Sequence, residues 1–278
     1  MVGVVDPAAE SKVPFRIQMF FNEQPLSIGT GFTYQSGDRI YLVTNWHNVS
    51  GRHAETKEAL SKTKALPNRM QFKVLKIEPA PDLGPNGMLM RWEPATVPLY
   101  DDEEHRVPLW MEHPEHRSGV DVIALEATNA FAGSNVIPVN SEELSGWHVP
   151  NYVSADALVL GYPRGLSGGA NFPIWKRASI ASEPSIDLDG VPKLLIDTAT
   201  REGMSGAPTF VRAVGLISRE PGKLAGDSFF GTKLRFIGVY SGRLGDDAMS
   251  AQLGIVWKEH AIKEIIDGGV RGISSFEL

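Results

Sequence analysis

At 278 residues the chain is long enough for about two domains of roughly 150 residues each. Hydrophobic residues make up 42% and charged residues 22%, and 27 Lys and Arg stand against 33 Asp and Glu, a net charge of −6 that argues against nucleic acid as a partner. With no cysteine, disulfide scaffolds, thiolate metal sites and cysteine nucleophiles are excluded. The 28 glycines and 19 prolines favour many short strands over long helices. Met1 to Phe15 has neither the basic start nor the apolar run of a secretory leader, and no run approaches the ~18 apolar residues of a membrane span. A cytoplasmic protein with no membrane partner is expected, the alternative being a chain that begins after a removed leader.

Taken in chain order, Arg16 to Phe21, Gly29 to Tyr34 and Arg39 to Thr44 read as strands, the last two joined by the turn Gln35-Ser36-Gly37-Asp38. Residues 52 to 66, rich in Ala, Leu, Glu and Lys, are expected to form a short surface helix. Strands resume at Met70 to Glu78, Met88 to Trp92, Val107 to Glu112 and Asp121 to Glu126. Thr128 to Val153 lacks a period and contains Pro138 and Pro150, which marks it as a linker. A second strand-rich stretch follows at Ala157 to Leu160, Phe172 to Ser182, Lys193 to Thr198, Pro208 to Val214 and Arg235 to Tyr240, with Ser218 to Gly231 as a long loop. Trp257 to Ile266 places Ala261, Ile262, Ile265 and Ile266 on one face of a helix that Gly268-Gly269 stops. The chain thus reads as all-β, with a first unit over 14–130, a linker over 131–156 and a second unit over 157–278 that closes on a C-terminal α-helix.

Three local patterns carry chemistry. Tyr41-Leu42-Val43-Thr44-Asn45-Trp46-His47 is an apolar strand that delivers a histidine just past its end. Val120-Asp121-Val122-Ile123-Ala124-Leu125 puts a carboxylate at the mouth of an apolar run, where it is costly to bury without donors. Glu202-Gly203-Met204-Ser205-Gly206-Ala207-Pro208 holds a serine between glycines before a strand, a turn that can expose backbone N–H groups toward an oxyanion. Each alone is weak. Together they have the types and order of one machine: His47 takes the serine proton, Asp121 orients the imidazole, and Ser205 attacks. The α/β-hydrolase alternative needs Gly-x-Ser-x-Gly before a helix with the histidine last, whereas here Ala207-Pro208 follows and His47 comes first.

With these pieces, and with Gly29-Thr30-Gly31-Phe32, Gly161-Tyr162-Pro163 and Ile237-Gly238-Val239-Tyr240-Ser241-Gly242 in the same order, the chain resembles the trypsin/chymotrypsin-like serine endopeptidases. It is most similar to their cysteine-free bacterial HtrA-like branch, without a PDZ domain. The resemblance implies two packed six-stranded antiparallel β-barrels. It implies catalytic His47, Asp121 and Ser205, and an oxyanion hole from the N–H groups of Gly203 and Ser205. Tyr240, Ser241 and Gly242 are expected to pair with the substrate backbone, and Ser241 to support Asp121. By the same analogy Ala199 and Thr200 lie near the specificity-pocket floor, with Tyr240 and Arg243 on its wall. Small or medium apolar side chains fit such a floor, and Arg243 could select an acidic one instead.

The chain departs from the secreted zymogens at Met204, where they carry an aspartate that receives a freed N-terminal amine. No metal or organic cofactor is implied; His113-Pro114-Glu115-His116 offers two histidines and a carboxylate, but the proline within the spacing and the lack of a third ligand type nearby argue against a metal site. The implied partner is a polypeptide substrate, with a regulatory protein partner as a possible addition. The alternative is a catalytically silent or partner-activated protease-fold binding protein.

Overall fold

The computed structural model describes residues 7–84, 87–223, 226, 228–244 and 252–278. The first unit is one antiparallel sheet of β1 (Pro14–Phe21), β2 (Gln24–Ser36), β3 (Arg39–Thr44), β4 (Arg69–Pro79), β5 (Met88–Pro98), β6 (Trp110–Met111) and β7 (Ile123–Glu126), ordered β5-β4-β1-β2-β3-β7-β6. In β1, Phe15, Ile17 and Met19 are buried while Arg16 is exposed, the period-two alternation of a sheet with one face inward. Those three pack with Leu42, Phe72, Trp110 and Phe131 in the interior of this unit. The short helix α1 (Trp46–Ser50) follows β3 and ends on Gly51 in the left-handed region.

The connecting stretch contains α2 (Glu142–Ser145). The second unit consists of β8 (Asp156–Gly161), β9 (Ile174–Ile180), β10 (Lys193–Asp197), β11 (Pro208–Ile217), β12 (Phe229–Arg243) and β13 (Leu253–Lys258), closed in the order β10-β13-β12-β11-β8-β9. Its interior holds Val159, Ile180, Met204, Val211, Tyr240 and Val256. The fold is therefore all-β in two packed units, followed by the helix α3 (Glu259–Gly268). A third apolar cluster binds the units to each other: Phe32, Tyr34, Val43 and Ala124 from the first meet Phe210, Phe236 and Trp257 from the second, with Ala261, Ile262 and Ile265 of α3.

Past α3 the chain returns to the first unit. Glu112 N–H donates to Val270 O (2.9 Å) and Gly272 N–H to Trp110 O (2.9 Å). The Arg52 guanidinium donates from Nε (2.9 Å) and Nη2 (2.8 Å) to Ser275 O. Phe276 stacks on His105 at 4.9 Å.

Four expectations change. Residues 52–66 are turns rather than a helix: Arg52 bridges Ala59, and Lys57 and Lys64 have φ of +60° and +57°. The first sheet has seven strands, with no ladder joining β5 to β6 among the described residues; Pro94 and Pro98 lack the N–H groups another neighbour of β5 would need. The loop expected over 218–231 ends earlier, because β12 begins at Phe229, which pairs with Ile217. Trp257 and Lys258 belong to β13, and the helix begins at Glu259. Among the described residues no helix is long and apolar enough to cross a membrane.

Candidate active site

The end of β3 sets the histidine. Thr44 is the last residue paired to β7, the chain turns at Asn45, and His47 lies in the first turn of α1. Asp121 sits just before β7 and is only 3% exposed. Its carboxylate is met by three donors. His47 N–H donates to Oδ1 at 2.9 Å, the imidazole Nδ1 lies 2.7 Å from Oδ2, and Ser241 Oγ donates to Oδ2 at 2.5 Å. Asn45 Nδ2 donates to the backbone carbonyl of Asp121 at 2.6 Å, fixing the main chain under the carboxylate. These donors satisfy the buried carboxylate, and the contact through Nδ1 leaves Nε2 of His47 as the ring nitrogen turned away from Asp121.

Ser205 lies on the turn before β11. Gly203 and Gly206 have φ of +89° and +86°, a region glycine enters freely. Space requires glycine there too, since a Cβ would collide with Tyr162 O at position 203 and with Thr30 O at position 206. Three carbonyls of the turn accept hydrogen bonds from outside it. Arg164 N–H donates to Glu202 O (2.6 Å) and Thr30 Oγ1 to Gly203 O (2.8 Å). Ser205 O accepts from Thr30 N–H (2.8 Å) and from Asn48 Nδ2 (3.3 Å). In a trans peptide the N–H points opposite its carbonyl, so anchoring Glu202 O on Arg164 aims Gly203 N–H away from that loop. Among the described residues neither Gly203 N–H nor Ser205 N–H has an acceptor.

His47, Gly203 and Ser205 line one groove of about 780 Å³ between the two units, walled by Ile28, Leu60 and Arg164. No hydrogen bond joins Ser205 Oγ to the imidazole. The other expected residues are placed less uniformly. Thr200 is buried and hydrogen-bonded to the Tyr240 hydroxyl, and Tyr240, 1% exposed, belongs to the interior of the second unit. Burial raises the Tyr240 phenol above its ordinary value against the opposing pull of Thr200 and Arg243. Ala199 and Arg243 are exposed, while Ser241 and Gly242 are half-buried. Met204 is fully buried among apolar side chains. His113 is tied to Glu264 of α3 at 2.8 Å.

Sequence reasoning missed the supports. Asn45 and Asn48 flank His47, and Thr30 sits in Gly29-Thr30-Gly31; polar residues beside the histidine were the available signal. Glu112 was missed as well. Its carboxylate, 2% exposed, accepts from the indoles of Trp46 (3.0 Å) and Trp110 (3.2 Å) and from Ile273 N–H (3.3 Å), and it faces Arg117 at 3.3 Å. Trp46 immediately precedes His47, and Lys57 Nζ lies 4.3 Å above its ring. Burial draws that ammonium below the usual lysine range, opposed by the charges of Asp121 and Glu112. Glu112→Ala leaves two buried indole donors and a guanidinium without their acceptor. It is expected to cost about 3 kcal/mol in a urea unfolding experiment.

An imidazole–carboxylate couple from one β unit and a serine turn from the other thus line one groove between two packed β units. No family model and no curated protein matches the chain. Among solved structures it is similar to an inactive form of Rv3671c from M. tuberculosis H37Rv, at 20% identity over 96% of this chain and 95% of that one, with a TM-score of 0.45. It is also similar to a serine endoprotease from Yersinia pestis, at 12% identity over 95% of this chain and 66% of that one (TM-score 0.46). A scabies mite inactivated protease paralogue is similar at 11% identity over 93% and 94% of the two chains (TM-score 0.48).

Proposed function

We propose that the chain is a serine endopeptidase that hydrolyses peptide bonds through an acyl-enzyme on Ser205, of a kind related to the bacterial HtrA-like branch. The observation that carries this reading is the His47–Asp121 couple sharing a groove with Ser205 and two unaccepted amides. His47 Nε2 takes the Ser205 proton as Oγ attacks the scissile carbonyl, and the imidazolium is stabilised by Asp121. The N–H groups of Gly203 and Ser205 receive the developing oxyanion. The imidazolium then gives its proton to the leaving amine, and water repeats the cycle on the ester.

The ladder between β11 and β12 stops at Val239, and Tyr240 spends its main chain on Gly206 and Ala207. Substrate pairing would therefore begin at Ser241 to Arg243. Because the Tyr240 ring and Thr200 lie together behind this strand, a shallow recess for a small side chain fits best, with Arg243 at its rim.

The test is labelling by a fluorophosphonate: reaction at Ser205, lost in His47→Ala, supports the reading, and folded protein that never labels overturns it. The unmade bond between Ser205 Oγ and His47 favours a second reading, a protease fold that is silent or awaits a partner; labelling only after a partner is added distinguishes it. One further outcome is expected of the enzyme. Gly203→Ala, whose Cβ forces the 202–203 peptide to turn, should lower kcat by about 10² to 10³ with KM little changed.

A further inference from the structure

A second cavity, of about 300 Å³, lies on the outer face of the first unit beneath the segment that follows β8. Arg16, Lys73 and Trp92 from the neighbouring strands β1, β4 and β5 form its base, and Tyr162, Gly165 and Asn171 form its roof. Its lining contains two cations and no carboxylate, in a chain whose net charge is −6. Arg16 reaches only Gly165 O, at 3.5 Å, and neither it nor Lys73 has an ion-pair partner among the described residues. Among the described residues the buried Trp92 indole N–H has no acceptor, and its ring meets Phe172 edge-on at 5.6 Å. The roof is strained: Arg164, Ala170 and Asn171 are non-glycine residues with φ of 53°, 45° and 61°, the kind of backbone that collects at ligand clamps. Unsatisfied donors and cations around an aromatic wall fit an oxygen-rich anion on a flat apolar body. The same roof carries Arg164, whose N–H holds Glu202 O and so aims Gly203 N–H.

We propose that this cavity binds a small aryl carboxylate, seated between Arg16 and Lys73 against Trp92, and that its occupancy acts on the Ser205 turn through the 162–171 segment. The effect on Ser205 rests on the endopeptidase reading; the binding does not. Calorimetric titration of Ser205→Ala protein with 2-naphthoate, and with its neutral amide as control, tests the binding apart from catalysis. Binding of the carboxylate, at least tenfold weaker for the amide and for Arg16→Gln/Lys73→Gln protein of unchanged melting temperature, is the result expected. No binding, or equal affinity in all three cases, overturns the site. In wild-type protein, saturating 2-naphthoate should change the rate of fluorophosphonate labelling at Ser205 at least threefold; binding with an unchanged rate overturns the coupling. If wild-type protein never labels while charge-dependent binding persists, the endopeptidase reading fails and the ligand site stands.

Discussion

On the proposed endopeptidase reading, Ser205→Ala is expected to lower peptide turnover about 10⁶-fold while the protein keeps its melting temperature, by analogy with nucleophile knockouts in serine proteases. The side chain contributes nothing to holding the turn. Thr30 and Asn48 bond the Ser205 carbonyl, and Gly206 N–H donates to Tyr240 O at 2.8 Å, so the backbone keeps its place when Oγ is removed. What is lost is the atom that forms the ester, and with it the division of one hard step into two easier ones. The two amides and the groove remain, which leaves a small residual acceleration over water. Single-turnover assays on a peptide from a cleavage library measure it. Retention of more than about a hundredth of wild-type turnover would show that another nucleophile does the chemistry.

Asp121→Asn should be the next largest, a loss of about 10⁴ in kcat with little effect on folding. The reason is geometric. Oδ1 accepts from the backbone N–H of His47, a donor that cannot reverse, so the asparagine must present its carbonyl oxygen there. Its NH₂ group then occupies the position of Oδ2, facing Nδ1 of His47. The imidazole answers by accepting at Nδ1 and carrying its proton on Nε2, where it can no longer take one from Ser205. The Ser241 hydroxyl, which now donates to Oδ2, can rotate to accept, and this limits the cost to stability. Ring ¹⁵N shifts of the histidine would read the tautomer directly. A variant with normal turnover would mean that a different acid orients the base.

The candidate site residues were legible because each stands at a switch in local pattern: His47 where an apolar strand ends, Asp121 where one begins, Ser205 between two glycines. The strands were legible wherever apolar and polar residues alternate, as in β1. Illegible was whatever depends on partners far along the chain. Residues 52–66 have helix-forming composition, yet Lys57 is drawn over Trp46 and bonds Ser118 Oγ at 2.6 Å, and these contacts override propensity. Trp257 fits the period of the helix after it, but a β12 neighbour claims it, with Val239 opposite. Glu112 reads as one more surface acid because the two indoles and the Ile273 N–H that receive it are spread across the sequence. Tyr240 reads equally well as pocket wall or interior, and only closure of the second barrel puts its ring inside.

The return of residues 270–276 to the first unit has a topological consequence. The polypeptide crosses between the units twice, once through the connecting stretch and once through α3 and the segment after it. His47 and Ser205 are therefore held by two independent tethers and the apolar cluster between them. Severing the connecting stretch should give complementing fragments, each side keeping a grip on the other through the remaining crossing, whereas removing the return segment would leave a single hinge about which the halves could shear.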